Sequence, residues 1–198
     1  MHHLPEKLAA QNTRDKQDAR VTADQLRPGD ILLTSPRRDV GWIDRAYNEM
    51  SRRVQGTRFG HAALYVGDGR VVDARFLHGV KERSLGRVLR ENHVVAAQPR
   101  VSDRQRERAV AFARSLVGAP YAAHQLARAA LPNRAERQRL QGGAVERLRR
   151  QGVICSGLVA HAYDSIRFSH AAHHLVRPAE ILQAKRVAVL GRLKREKK

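Results

Sequence analysis

The chain has 198 residues, of which 42% are hydrophobic and 29% are charged, a composition that excludes a wholly disordered protein. Its single cysteine excludes an intramolecular disulfide, and no apolar run approaches the roughly 18 residues of a membrane-spanning helix. Lys and Arg total 38 against 19 acidic residues, a net charge of +19, which favours polyanionic partners such as nucleic acid, an anionic membrane surface or a cell-wall polymer. Because arginines occur along the whole chain, a bias of the genome toward arginine codons explains the charge equally well.

The N-terminal segment, residues 1–24, is polar and is predicted to form a helical or disordered arm. It lacks the apolar core of a secretory signal peptide, so we expect a cytoplasmic protein, or one carried to its site of action in a virus particle. The folded domain is predicted over residues 25–193, and the basic residues 194–198 are expected to be a solvated tail.

A β-sheet is predicted from several apolar runs. Residues 30–34 follow a Pro-Gly-Asp turn and are typical of a buried strand. The clearest signal is a pair of β runs, 61–66 and 70–75, joined by Gly-Asp-Gly, which predicts a hairpin. Further strands are predicted at residues 79–81, 93–98 and 186–193.

Helices are predicted in the remaining segments. Residues 40–53 have apolar positions at helical spacing, and a second helix should begin at Ser102 and end before Gly118. Residues 122–151 are predicted to be an Arg-rich helical insertion, and a buried helix should begin near Cys155. The fold class is therefore α+β, with a central antiparallel sheet packed against the helix that carries Cys155.

Cys155 lies in the segment Val-Ile-Cys-Ser-Gly-Leu-Val, at the expected start of an apolar helix. Unpaired backbone N–H groups and the helix dipole lower a thiol pKa at such a position and produce a reactive thiolate. Cys155 is therefore a candidate nucleophile. The alternative is a small buried apolar residue, the common role of a free cysteine.

His61 and Asp73 are the candidate partners of that thiol. His61 begins a strand that should be central, and imidazole has a suitable pKa for a general base. Asp73 lies near-opposite on the partner strand and can share a face with His61, where a carboxylate would fix the imidazole tautomer and stabilise imidazolium. Taken alone, His61 is better explained as a half-buried histidine that bonds to the backbone, and Asp73 is equally well explained as an ordinary polar residue near a strand end.

Five segments together resemble the NlpC-like cysteine peptidase superfamily. They are Leu-Arg-Pro-Gly-Asp-Ile-Leu at 26–32, Phe-Gly-His-Ala-Ala-Leu-Tyr-Val-Gly-Asp-Gly at 59–69, Val-Val-Asp-Ala at 71–74, Leu-Val-Gly-Ala-Pro-Tyr at 116–121 and Ile-Cys-Ser-Gly-Leu-Val-Ala-His-Ala-Tyr at 154–163. The order His, acid, Cys is similar to that of the circularly permuted YiiX-like branch, which includes the lecithin:retinol acyltransferase-like proteins. Unpermuted members have Cys first. The resemblance covers about residues 26–190.

The resemblance implies a permuted papain-like fold with Cys155 as nucleophile, His61 as base and Asp73 as the orienting residue, where the branch often has Glu. Tyr121, in Gly-Ala-Pro-Tyr, matches a position near the cleft in relatives and is a candidate for stabilising an oxyanion. A packed aromatic is the alternative for Tyr121, and the backbone N–H of Cys155 is the expected oxyanion donor. No cofactor is implied.

Two other groups of residues are candidates for binding sites. The histidines with helical spacing lack a cysteine or a clear acidic partner, so we predict no metal site there; they are His170, His173 and His174. The Arg-rich insertion is a candidate polyanion-binding surface, with a solvated helix face as the alternative. Its candidate residues are Arg137, Arg147 and Arg149.

The expected function is that of a thiol hydrolase that cleaves amide bonds through a Cys thioester, with cell-wall (peptidoglycan) peptide as the leading substrate. A lipid acylhydrolase or acyltransferase, also known in this branch, is the first alternative. The second is a non-catalytic structural or nucleic-acid-associated protein that retains the fold, such as a virion component with assembly partners in the particle.

Overall fold

The computed structural model describes residues 19–37, 59–123, 144–168 and 176–194, and it shows a mixed α+β fold as predicted. The predicted helix at 40–53 and the larger part of the Arg-rich insertion lie outside these ranges. So do the three histidines considered for a metal site and nearly all of both predicted terminal segments.

Seven strands form one sheet in the order β1-β7-β6-β2-β3-β4-β5. Neighbouring strands are antiparallel, except that β1 is parallel to β7. The predicted hairpin is confirmed as β3 and β4. The strands are β1 Arg20–Val21, β2 Ile31–Pro36, β3 His61–Gly67, β4 Arg70–Arg75, β5 Gly79–Ser84, β6 Asn92–Pro99 and β7 Val187–Leu193.

Five α-helices occur in the described ranges: α1 Leu85–Glu91, α2 Asp103–Ser115, α3 Ala144–Gln151, α4 Cys155–Ala162 and α5 Pro178–Gln183. The predicted cap is confirmed, because the Ser102 hydroxyl accepts the backbone N–H of Gln105. The predicted start of a helix at Cys155 is confirmed as well. Helices α1 and α5 were not predicted, since each spans fewer than two full turns and offers little periodicity.

The sheet begins inside the segment predicted to be a polar arm. Strand β1 pairs Arg20 with Arg192 and Val21 with Leu193. Glycine at position 191 allows the two strands to lie this close, because a Cβ there would clash with the Ala19 carbonyl oxygen. The predicted boundary at residue 25 is therefore too late, because two residues of an edge strand leave no periodic signal.

Apolar side chains cover both faces of the sheet. On one face, Leu64 and Val72 belong to the core that includes Leu158 of α4. On the other face, Val71 packs in a cluster with Leu85 and Val88 of α1. Successive strand residues alternate between faces, so Asp73 lies on the same side as Val71, the side of α1.

The Pro-Gly-Asp segment before β2 is held by a buried ion pair. Asp30 is fully buried and accepts a 2.9 Å hydrogen bond from the Arg106 guanidinium. Arg106 also donates to the carbonyl oxygens of Pro28 and Pro99, at 3.3 and 3.0 Å. Gly29 has a φ of +91°, and its carbonyl accepts the hydroxyl of Tyr163 at the end of α4. This segment therefore joins β2 to α2 and α4.

Replacing Arg106 with methionine should lower the free energy of unfolding by about 3–5 kcal/mol, because it leaves the buried Asp30 carboxylate unpaired. Urea denaturation measures the change. The matched control is Arg104→Met, an exposed position on the same helix, which should change stability by no more than about 0.5 kcal/mol. Equal stabilities of the two variants would show that the pair contributes nothing.

Candidate active site

Cys155 is the first residue of α4, and only 3% of its surface is exposed. Ile154 precedes it and provides no side-chain cap for the helix N-terminus. Burial raises the pKa of the Cys155 thiol, but the charge and hydrogen bond of His61 and the backbone N–H groups of Ala62 and Ser156 outweigh it. The thiol pKa therefore lies below its ordinary value, which favours the nucleophilic thiolate.

His61 is the first residue of β3, and its side chain is 14% exposed. Its Nε2 lies 3.1 Å from Oδ2 of Asp73, which leaves Nδ1 for the side-chain hydrogen bond with Cys155. Burial lowers the pKa of His61, but the charge of Cys155 and the contacts with Asp73 raise it to about 9. Both shifts favour an imidazolium beside a thiolate over the neutral pair.

Asp73 lies on β4 and is 2% exposed. In the register of the hairpin, it is directly opposite Ala63, so it is diagonal to His61 rather than near-opposite as predicted. The two side chains still share a face and meet, because diagonal pairs lie within reach of a long or aromatic side chain. Burial raises the pKa of Asp73, but hydrogen bonding and charge from His61 and the charge of Arg83 lower it.

Charged side chains behind Asp73 form a network that the sequence analysis did not predict. A guanidinium nitrogen of Arg83, on β5, lies 3.4 Å from Oδ2 of Asp73, and the other contacts Glu91 of α1 at 2.5 Å. Glu91 also contacts Arg75 at 3.7 Å and Arg87 at 2.7 Å. The contact could be predicted only from the pairing of β4 with β5, which makes Arg83 and Asp73 diagonal neighbours.

Tyr121 packs beside the chain that leads into the site. It forms a parallel bridge with Val153, and its ring lies edge-to-face against Phe76 with centroids 6.1 Å apart. It is partly buried and contacts the cluster of Ala122 and Ile154. These contacts support the interpretation as a packed aromatic that supports the residues before Cys155.

Two of the three candidate polyanion-binding residues lie in the described part of the chain. Arg137 lies outside the described residues, whereas Arg147 and Arg149 are exposed on α3. Arg149 donates to the Ser115 carbonyl oxygen at 2.7 Å and so attaches α3 to the end of α2. Arg149 therefore has a structural role in addition to the predicted binding role.

Three further findings bear on the site. Within the described ranges, no group of three or more His, Cys, Asp or Glu side chains is arranged to hold a metal ion. None of the helices in those ranges is both long enough and apolar enough to cross a membrane.

Neither a known protein-family model nor a curated protein matches the sequence. Support for a function therefore comes from the geometry around Cys155.

Proposed function

We propose that the protein is a thiol hydrolase that cleaves amide bonds through a thioester on Cys155. The observation that carries this proposal is the continuous contact from Cys155 to His61 and from His61 to Asp73, at 3.1 Å for the second pair. Nucleophile, base and orienting carboxylate in that arrangement are the parts that acyl transfer requires. Their chain order, on one hairpin and a later helix, agrees with a permuted papain-like architecture.

Acylation begins from the thiolate. The Cys155 sulfur attacks the amide carbonyl carbon, and a C–S bond forms as the carbonyl oxygen becomes an oxyanion. The backbone N–H of Cys155, in the first turn of α4, is suited to stabilise that oxyanion. The His61 imidazolium then gives its proton to the amide nitrogen, the C–N bond breaks, and the amine leaves a neutral imidazole behind.

Deacylation reverses the direction of proton transfer. The neutral His61 removes a proton from water, the resulting hydroxide attacks the thioester, and the C–S bond breaks. The products are a carboxylic acid and the regenerated thiolate–imidazolium pair. Throughout the cycle Asp73 accepts the Nε2–H of His61, which keeps Nδ1 directed at the sulfur.

Cell-wall peptide is the proposed substrate class. The net charge of +19 favours association with an anionic polymer, which would concentrate the enzyme on such a substrate. A lipid ester is the second candidate, because the same thiolate and the same thioester serve ester cleavage.

Intact-mass measurement during turnover would test the proposal and choose between the substrates. With soluble wall peptide fragments, we expect hydrolysis products and a transient acyl adduct on the wild-type chain, and neither on Cys155→Ala. A dispersed phospholipid serves as the competing substrate. An adduct from the phospholipid alone would move the assignment to lipid acylhydrolase, and the absence of product and adduct from both would overturn a catalytic role.

A further inference from the structure

A cavity of about 380 Å³ lies against β4 and β5, on the far side of Asp73 from the reacting sulfur in the chain of contacts. Its lining includes Asp73 itself, together with residues of both strands and the first turn of α1. A space of this volume is at the lower end of the range typical of small-molecule sites. It shares Asp73 with the site that holds the thiol, but neither Cys155 nor His61 lines it.

The cavity has an excess of positive charge. Five basic side chains line it, against two carboxylates in the lining, Asp73 and Glu82, and a third at Glu91 that contacts three of the arginines, so positive charge is in excess. No carboxylate pairs with Lys81 in the part of the chain that the structure describes. The basic residues are Arg70, Arg75, Lys81, Arg83 and Arg87.

Asp73 contributes a second, independent observation. Its Oδ2 contacts His61 and Arg83, whereas its Oδ1 is buried and has no hydrogen-bond partner among the described residues. A buried carboxylate oxygen without a donor is costly, so a ligand that supplies one is favoured. The ligand should therefore carry negative charge for the guanidinium groups and one O–H for Asp73.

We infer that this cavity binds a phosphate group, either as free phosphate or as a phosphate monoester. Monohydrogen phosphate carries two negative charges, which the excess of positive charge in the lining would favour, and its P–O–H can donate to Oδ1 of Asp73. Arginine is suited to this role, because its planar guanidinium donates paired hydrogen bonds to phosphate oxygens. Lys81, directly opposite Asp73, would provide a point charge at the rim.

Calorimetric titration at constant ionic strength tests this inference. Inorganic phosphate and glycerol 3-phosphate are the two probes, and each should give saturable binding at one site per chain. Lys81→Gln combined with Arg87→Gln should weaken the affinity at least about tenfold, since Lys81 shares the sheet face of Asp73 and Arg87 lies on the helix that packs against that face. Lys185→Gln, which removes an exposed charge outside the cavity lining, should bind as the wild type does.

The two probes also identify the source of the group. Tighter binding of glycerol 3-phosphate assigns the phosphate to a larger ligand, and equal or weaker binding assigns it to free phosphate. Cys155→Ala should keep the site intact, so a failure of catalysis would not be mistaken for a failure of binding. The absence of saturable binding by the wild type, or equal affinities of the wild type and the double variant, would overturn the inference.

Discussion

Replacing Cys155 with alanine is expected to reduce kcat/KM for the amide substrate by at least about 10⁴-fold, the size of loss seen when a covalent nucleophile is removed. The sulfur lies at the start of α4 beside the imidazole that would take up its proton, and alanine leaves no group that can form a thioester. Steady-state kinetics on wall peptide fragments gives the ratio. Because alanine retains the Cβ, the packing of α4 on the sheet should persist.

Lys185→Gln is the matched control for this loss, since it changes one exposed charge that is not among the described site residues and should retain wild-type kcat/KM. Circular dichroism of Cys155→Ala should coincide with that of the wild type. A folded Cys155→Ala variant with undiminished hydrolysis would show that the sulfur is not the nucleophile.

Replacing His61 with glutamine is expected to slow alkylation of Cys155 by iodoacetamide near pH 6 by at least about tenfold. His61 supplies the charge and hydrogen bond that lower the thiol pKa, whereas burial raises it, so the variant should hold a protonated thiol at that pH. Each pH unit by which the thiol pKa rises above the working pH lowers the thiolate fraction about tenfold. The higher intrinsic nucleophilicity of the more basic thiolate offsets part of that loss. Rates of labelling across pH measure the change.

The raised pKa of His61 also predicts the direction in which kcat/KM changes at alkaline pH. His61 has a raised pKa of about 9, so imidazolium persists below that pH and is lost above it. Because imidazolium protonates the leaving amine, kcat/KM should fall above about pH 9. Asp73→Asn removes a contact that raises the His61 pKa, so its decline should begin at a lower pH.

His93→Gln is the control for loss of a histidine, because His93 lies on β6 and contacts Arg192 rather than the thiol. It should label with the wild-type pH profile. If His61→Gln is labelled with the wild-type pH profile, the imidazole does not lower the thiol pKa, and the proposed mechanism loses its basis.

Local signals account for the parts of the fold that were predicted well. The Gly-Asp-Gly turn and the alternating β runs placed β4 at Arg70–Arg75, with both ends as predicted. Ser102 and the first turn of α4 were also recognised, because capping chemistry and apolar onset depend on neighbouring residues. Helix α1 was missed even though Leu85, Val88 and Leu89 have helical spacing, since so short a repeat has little statistical weight.

The residue types of the candidate site could be read from the chain, but their mutual geometry could not. The diagonal register of His61 and Asp73 depends on how β3 pairs with β4. The contacts of Arg83 with Asp73 and Glu91 depend on α1 folding back beside β5. The buried pair of Asp30 and Arg106 likewise required α2 to pack against the Pro-Gly-Asp segment.

The sequence by itself determined the α+β class, the hairpin, and the choice of Cys155, His61 and Asp73 as candidates, because turn chemistry, periodicity and residue type act locally. Only the tertiary structure decided the directions in which the pKa values of Cys155 and His61 shift, and the cavity behind Asp73. Both depend on charges from strands and helices that are distant along the chain, and electrostatic energies are set by separation in space and by burial.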